Sequence, residues 1–134
     1  MDNARQFMER DKFVQLAGIR LLEQSPGHAT AEFDVAPHHL NGAGTVHGGA
    51  IFTLADFAFA AANSHGTVAL AVNASISYVK AVREGTLTAK AIELSLGPKL
   101  ASYRVDITED TGDIVALFQG MVYRKRDPIE NVPH

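Results

Sequence analysis

Two groups in the stretch His47–Ala62 have the chemistry of a hydrolytic site: the backbone N–H of Gly48 and the carboxyl group of Asp56. Beyond Gly48 and Gly49 the stretch is almost wholly Ala, Leu, Ile and Phe, the pattern of a buried helix, and Asp56 is its one ionisable residue. A carboxylate held among apolar side chains is costly unless it is hydrogen-bonded. Asp56 therefore reads either as a structural acceptor that ties down a neighbouring segment, or as a catalytic base or nucleophile whose pKa is raised by burial. The catalytic reading is the favoured one. At the other end of the stretch, a helix start presents free N–H groups and the positive end of the helix dipole, and a glycine lets a ligand approach them closely. That suits an oxyanion donor.

Spacing constrains how these two groups act. Eight residues separate Gly48 from Asp56, which is about 12 Å along a helix rising about 1.5 Å per residue. Each must come within about 3 Å of the reacting atoms. One copy of the helix cannot satisfy both. If both act, the Gly48 amide of one subunit works with Asp56 of another. The sequence thus predicts a site shared across a dimer, with two such sites per two-fold pair.

The remaining composition removes other classes. The 134 residues are expected to form one domain, 1–134, with a core over about 14–124. A net charge of −3 with His neutral gives no general attraction to nucleic acid or to an anionic membrane. With no cysteine there is no disulfide framework, thiolate nucleophile or Cys metal site. Met1–Gln6 lacks an apolar signal core, and the longest apolar run is too short to span a bilayer, so cytoplasmic residence is expected.

Periodicity supplies the elements that must hold the site. Residues 2–15 read as one short amphipathic helix, capped by Asp2 or Asn3, with Phe7, Met8, Phe13 and Val14 toward one side and an end near Gly18. Residues 18–24 and 28–36 read as a hairpin around Ser25-Pro26-Gly27, with Ala29, Ala31, Phe33 and Val35 on one face. A loop, 37–44, leads to the central helix. Residues 67–79 alternate, with Val68, Leu70, Val72, Ala74, Ile76 and Tyr78 on one face and Ala69, Ala71, Asn73, Ser75 and Ser77 on the other. The small, polar second face leaves room for a ligand or a close neighbour. Strands follow at 86–96, with a bulge expected near Ala91-Ile92, at 102–108 and at 114–123; the last is apolar enough for burial on both faces. Residues 124–134 read as a polar tail. Short turns imply antiparallel neighbours, so the expected fold is α+β, a long central helix wrapped by a curved antiparallel sheet.

These residues resemble the PaaI-like acyl-CoA thioesterase family of hotdog-fold proteins. The resemblance rests on His39-Leu40-Asn41, Gly44-Thr45-Val46-His47-Gly48-Gly49, Leu54-Ala55-Asp56 and Ala58-Phe59-Ala60, then on Asn73–Tyr78, Gly85, Leu87 and Tyr103-Arg104-Val105. It implies hydrolysis of an acyl-CoA thioester to free acid and CoA by homodimers, commonly paired into homotetramers, with no cofactor beyond the coenzyme A of the substrate. Gly48 matches the family's backbone oxyanion donor and Asp56 the carboxylate from the partner subunit. Asn41 and His47 match polar residues that position the water or thioester and shape the loop. Some members carry a Ser on the strand after the helix. Ala71 stands there in this chain, so that role is absent or moves to Asn73 or Ser75. Gly49, Asn73, Ser75 and Tyr78 complete the expected substrate-binding set, with Phe57, Phe59 and Tyr78 bounding an acyl pocket. A phenylacetyl or other aryl-acyl group is one candidate, and medium-chain acyl groups stay open.

Other readings of the same residues differ in chemistry. His47 could brace its loop by hydrogen bonding alone, and Asn41 could be a turn residue. The pair His38-His39 invites a metal reading, but adjacent His residues in a loop point apart and no Cys or clear carboxylate set joins them, so no metal is expected. Ser64 and Ser75 lack a nucleophile-elbow setting. Gly42, Gly44, Gly48 and Gly49 lack the βαβ frame of a dinucleotide fingerprint. Among the basic residues, Lys80, Arg83 and Lys99 sit near strand ends and are the best candidates for the CoA phosphates. Two rival functions remain. A hotdog hydratase would need a His beside the carboxylate, and the helix has none. A non-catalytic acyl-CoA sensor would need no Asp56 and would usually carry an output domain.

Overall fold

The computed structural model describes residues 3–128, with side chains from Arg5 to Lys125. The N-terminal segment forms two short helices rather than one: α1 (Asn3–Glu9) and α2 (Lys12–Ala17). Asp11 breaks them, because its carboxylate accepts the Val14 N–H at 3.1 Å and caps α2. Gly18 ends α2 in the left-handed region at φ 76°, as the position near Gly18 predicted. Met8 and Val14 are buried as expected, but Phe13 is 66% exposed. The expected cap at Asp2 or Asn3 lies outside the described side chains.

Strands β1 (Arg20–Ser25) and β2 (His28–Asp34) form the predicted hairpin, with Ala29, Ala31 and Phe33 facing the core. A single 3-10 turn, Pro37–His39, precedes α3 (Gly48–Ala62). Then come β3 (Thr67–Tyr78), β4 (Thr86–Leu96), β5 (Leu100–Thr108) and β6 (Ile114–Pro128). All pairings are antiparallel, in the order β1-β2-β4-β5-β6-β3. The helix α3 packs on the inner face of this sheet, against β1, β2, β4, β5 and β6. The α+β architecture is the one expected.

Three features depart from the sequence reading. First, β3 and β4 are consecutive but not neighbours. The connection 79–85 passes the start of α3, where the Val46 N–H donates to the Val82 carbonyl at 2.8 Å, and delivers β4 between β2 and β5. That leaves β3 at the edge, paired with β6 alone. Second, β6 continues through Arg124 to Pro128 because the long β3 offers partners as far as Thr67, so the polar tail starts later than expected; residues 129–134 lie outside the described chain. Third, the β4 bulge falls between Glu93 and Ser95, not at Ala91-Ile92. In β6, the adjacent Val115 and Ala116 are both buried at the register shift opposite Ile107 and Thr108, but from Ala116 onward burial is one-sided: Ala116, Phe118 and Val122 are buried, whereas Leu117 and Tyr123 are each 43% exposed on the outer face.

Candidate active site

The loop before α3 is built by side chains that the sequence singled out. Asn41 closes it: its Oδ1 accepts the N–H groups of Ala43 (2.9 Å) and Thr45 (3.1 Å), and its Nδ2 donates to Thr45 Oγ1 at 3.0 Å. Arg83 clamps it from outside, donating from Nη1 to the Ala43 and Gly44 carbonyls at 3.2 and 3.4 Å. His47 is the N-cap of α3, its Nδ1 accepting the Gly49 N–H at 2.8 Å. The Gly49 amide is thereby used. The Gly48 N–H has no partner among the described residues and stands at the positive end of the helix. On its other side the Tyr78 hydroxyl donates to the Gly48 carbonyl at 3.0 Å. Asn41, His47, Gly48, Gly49, Tyr78 and Arg83 thus gather at one end of α3.

Asp56 lies elsewhere. The helix is not buried all round: Gly49, Phe52, Thr53, Asp56 and Ala60 form a stripe that the core leaves partly or fully open, with Asp56 exposed at its middle. The carboxyl faces a cavity of about 790 Å³. Its walls are Phe7, Met8, Asp11 and Lys12 from the N-terminal helices, Phe59 and Ala60 from α3, and Val68, Ala69 and Ala71 from β3. None of Asn41, His47, Gly48 or Tyr78 lines it. Asp56 remains open to water at the mouth, yet the crowded apolar walls strip enough hydration to raise its pKa, with the Asp11 charge adding to the effect.

The strand β3 places the other predicted residues differently from strict alternation. A bulge between Ala71 and Asn73 inserts Val72 and reverses the side-chain phase. Ala69 and Ala71 point into the cavity, Ile76 and Tyr78 point toward α3, and Leu70 and Val72 are 51% and 56% exposed. Asn73 and Ser75 pair with Met121 and Gln119 on the outer face of the sheet. Within one chain they therefore face away from Ala71 and do not take over the role that a Ser at its position would fill. Lys80 is already ion-paired with Glu109 and Asp113 at 2.5 and 2.8 Å. Lys99 sits in the exposed β4–β5 turn, its carbonyl accepting the Arg124 N–H. Of the aromatics expected to bound a pocket, Phe59 does so, and Phe57 is buried in the core.

The sequence reading missed the cavity wall made by α1 and α2. Its signal was Asp11-Lys12 between Phe7-Met8 and Phe13-Val14: a capping residue that splits the segment and lets Met8 and Val14 bury while Phe13 stays exposed.

The thioesterase superfamily profile matches residues 43–116, which includes Gly48 and Asp56. The chain belongs to the thioesterase superfamily. A protein of Archaeoglobus fulgidus named a putative esterase is 47% identical over 118 residues, covering 87% of this chain and 77% of its own. The acyl-coenzyme A thioesterase PaaI of Escherichia coli is 36% identical over 124 residues, covering 91% and 89%. The solved structure of Escherichia coli PaaI, described as a protein of the phenylacetic acid degradation operon, superposes with a TM-score of 0.88 at 33% identity, over 94% of this chain and 93% of that one. This thioesterase-superfamily chain is PaaI-like, and its helix and six-stranded sheet are the hotdog fold of those structures. No helix among its described residues is long and apolar enough to cross a membrane.

Proposed function

We propose that this chain is an acyl-CoA thioesterase whose site forms between two copies. The observation that carries the reading is the separation within one chain of Asp56, in its apolar-walled cavity, from the free Gly48 N–H at the start of the same helix. The expected span of about 12 Å is too long for one reacting carbonyl. The edge strand β3 is the surface on which a second copy would dock. It runs for twelve residues with one side unpaired, and Leu70, Val72 and Tyr78 are each at least half exposed. Pairing of two such edges about a two-fold axis would bring the α3 helices of the two copies alongside each other. A further pairing of dimers into a tetramer is the expected assembly.

In this mechanism the Gly48 N–H, backed by the helix dipole, holds the thioester carbonyl oxygen as it becomes an oxyanion. Asp56, ionised, takes a proton from water as the water oxygen bonds to the carbonyl carbon. The tetrahedral intermediate then expels CoA thiolate, which recovers the proton, leaving acid and CoA. Attack by the Asp56 carboxylate itself, giving a mixed anhydride that water then hydrolyses, is the second route the same geometry serves. His47 and Asn41 hold the loop that presents Gly48. Gly49 lends its amide to that cap, and Tyr78 seats the helix end. For the CoA phosphates, Arg83 and Lys99 remain better placed than the ion-paired Lys80. An aryl-acyl group such as phenylacetyl is the first substrate to try, given the operon from which the similar Escherichia coli structure comes.

The test is thiol release from phenylacetyl-, hydroxyphenylacetyl-, benzoyl-, hexanoyl- and palmitoyl-CoA, with wild type and Asp56→Asn side by side. Turnover that collapses in the variant supports the reading. Binding of CoA esters with no turnover by either protein would replace it with a non-catalytic acyl-CoA sensor.

A further inference from the structure

We propose that Gly120, in the middle of β6, is a positioning residue that sets the depth of the Asp56 cavity: it lets the Phe59 ring lie back against the sheet, and the room so kept admits an acyl group that reaches a full helical turn past Asp56. The inference rests on the thioesterase reading for what enters the cavity, but the packing itself does not depend on turnover. Phe59 follows Asp56 by three residues, so it lies one turn further along α3 on the same side. It borders the cavity and yet is only 1% exposed, so the cavity ends against it. The ring meets Gly120 end-on. A Cβ on Gly120 would lie 2.7 Å from Phe59 Cζ and 2.9 Å from both Cε1 and Cε2. A glycine inside a strand weakens it and marks a place where something approaches the backbone closely. Here the close neighbour is the tip of the Phe59 ring.

The surroundings fix the direction in which that ring would move. On one flank stands Tyr103, which pairs with Gly120 across β5 and β6; its ring meets Phe59 edge-on with centroids 5.6 Å apart. Tyr103 is itself held, because its hydroxyl donates to Glu93 Oε2 at 2.7 Å. On the other flank the Phe118 ring lies 5.4 Å away and is backed by Phe52 at 5.6 Å. Tyr103 and Phe118 are both buried. A side chain at position 120 would close the sheet side as well. A close-packed interior gives way toward its voids, and the void beside Phe59 is the cavity. An added Cβ therefore pushes the ring tip into the space that the end of an acyl chain would fill.

The test uses CoA thioethers, which keep the chain and lack the scissile carbonyl, with binding measured by calorimetry. Gly120→Ala should weaken S-hexyl-CoA about 10-fold, the size of effect that one methylene too many has in an apolar pocket. S-ethyl-CoA, which ends short of Phe59, should bind as it does to wild type. Phe59→Leu removes the ring tip and should tighten S-hexyl-CoA about 4-fold, the worth of one more buried methylene. In the double variant Gly120→Ala should cost S-hexyl-CoA nothing, since no ring tip remains to displace. Equal weakening of both thioethers by Gly120→Ala, or the same loss with and without Phe59→Leu, overturns the proposal. Should Gly120→Ala alone fail to fold, Phe59→Leu decides, and no gain for S-hexyl-CoA overturns it. In turnover, Gly120→Ala should raise KM for hexanoyl-CoA with little change in kcat, because Asp56 and Gly48 stay in place. If the thioether pattern holds but no acyl-CoA is hydrolysed, the role of Gly120 stands and the thioesterase reading falls.

Discussion

The Tyr78 hydroxyl donates to the Gly48 carbonyl at 3.0 Å, and its ring stands where a Gly48 side chain would have to go. A Cβ on Gly48 would lie 3.1 Å from Tyr78 Cζ and 3.3 Å from its hydroxyl oxygen. The two residues are thirty apart in sequence, and the edge strand β3 brings them together. Gly48 is thus required twice, for ligand approach to its N–H and for the seat of the Tyr78 ring.

Gly48→Ala should therefore damage turnover without unfolding the chain. Ala is a better helix former than Gly, which offsets part of the crowding. The Tyr78 ring or the helix start must shift by a few tenths of an ångström, and the oxyanion donor moves with it. A loss in kcat/KM of about 10- to 100-fold is expected, short of the loss from deleting a donor outright. Steady-state thiol release and a thermal melt check both halves. Full activity in Gly48→Ala would remove the Gly48 amide from the mechanism.

Asp56 should cost stability where it serves chemistry. Burial raises its pKa above that of the unfolded chain, so the native state resists ionisation that the unfolded state accepts freely. The sign follows: as pH rises from the ordinary Asp pKa through the raised native value, wild type loses stability relative to a neutral variant. Asp56→Asn should melt higher than wild type at pH 8, and the gain should vanish below about pH 4, where both states are protonated. Melting curves of the two proteins across that range decide it. A variant that melts lower at pH 8 would make Asp56 a structural acceptor.

The central helix and the strand periods were legible because they are local: apolar spacing within ten to fifteen residues records which face each element buries. What the sequence hid depends on distant partners. Nothing between Tyr78 and Thr86 says that β3 leaves the hairpin pattern to lie beside β6. Nor does the alternation of 67–79 reveal that Val72 will be extruded, yet that one residue sends Asn73 and Ser75 to the opposite face from Ala71. Lys80 read as a free cation because Glu109 and Asp113, its partners, come from another turn. At the site, the Gly48–Asp56 spacing was readable from helix rise alone.

At the far end of α3 a polar cluster closes the core. Glu93 Oε2 accepts from the Tyr103 hydroxyl at 2.7 Å and lies 2.6 Å from His65 Nε2. Burial alone would raise the Glu93 pKa, but these hydrogen bonds and the charges of His65 and Arg124 outweigh it and hold the carboxyl below its ordinary value. A depressed acid contributes stability above its unfolded pKa, and that contribution is lost as pH falls through the native value. Glu93→Gln should cost about 1–3 kcal/mol near neutral pH. The deficit should narrow once the pH drops below about 4. Urea titrations at both pH values test this, and an equal deficit at each would show that charge plays no part.

His39 joins the two walls of the site. It is buried at 4% exposure, between Phe33 and His38 with ring centroids 4.2 and 4.1 Å away. Its Nδ1 accepts the Ala36 N–H at 2.9 Å, so its Nε2 carries the hydrogen it donates to the Ala17 carbonyl at 2.7 Å. Its own carbonyl accepts the His47 N–H at 2.7 Å. One residue thus ties the end of α2, the helix whose first residue Lys12 borders the Asp56 cavity, to the start of α3, where Gly48 is presented. His39→Ala keeps the backbone tie but orphans Ala36 and Ala17, at a cost of about 2–4 kcal/mol with the lost ring. The damage should concentrate in α2. Amide hydrogen exchange should quicken there before it quickens in α3, and KM should rise more than kcat falls, because the cavity wall loosens while Gly48 stays seated. Uniform acceleration of exchange across the sheet would mean that His39 is simply part of the core.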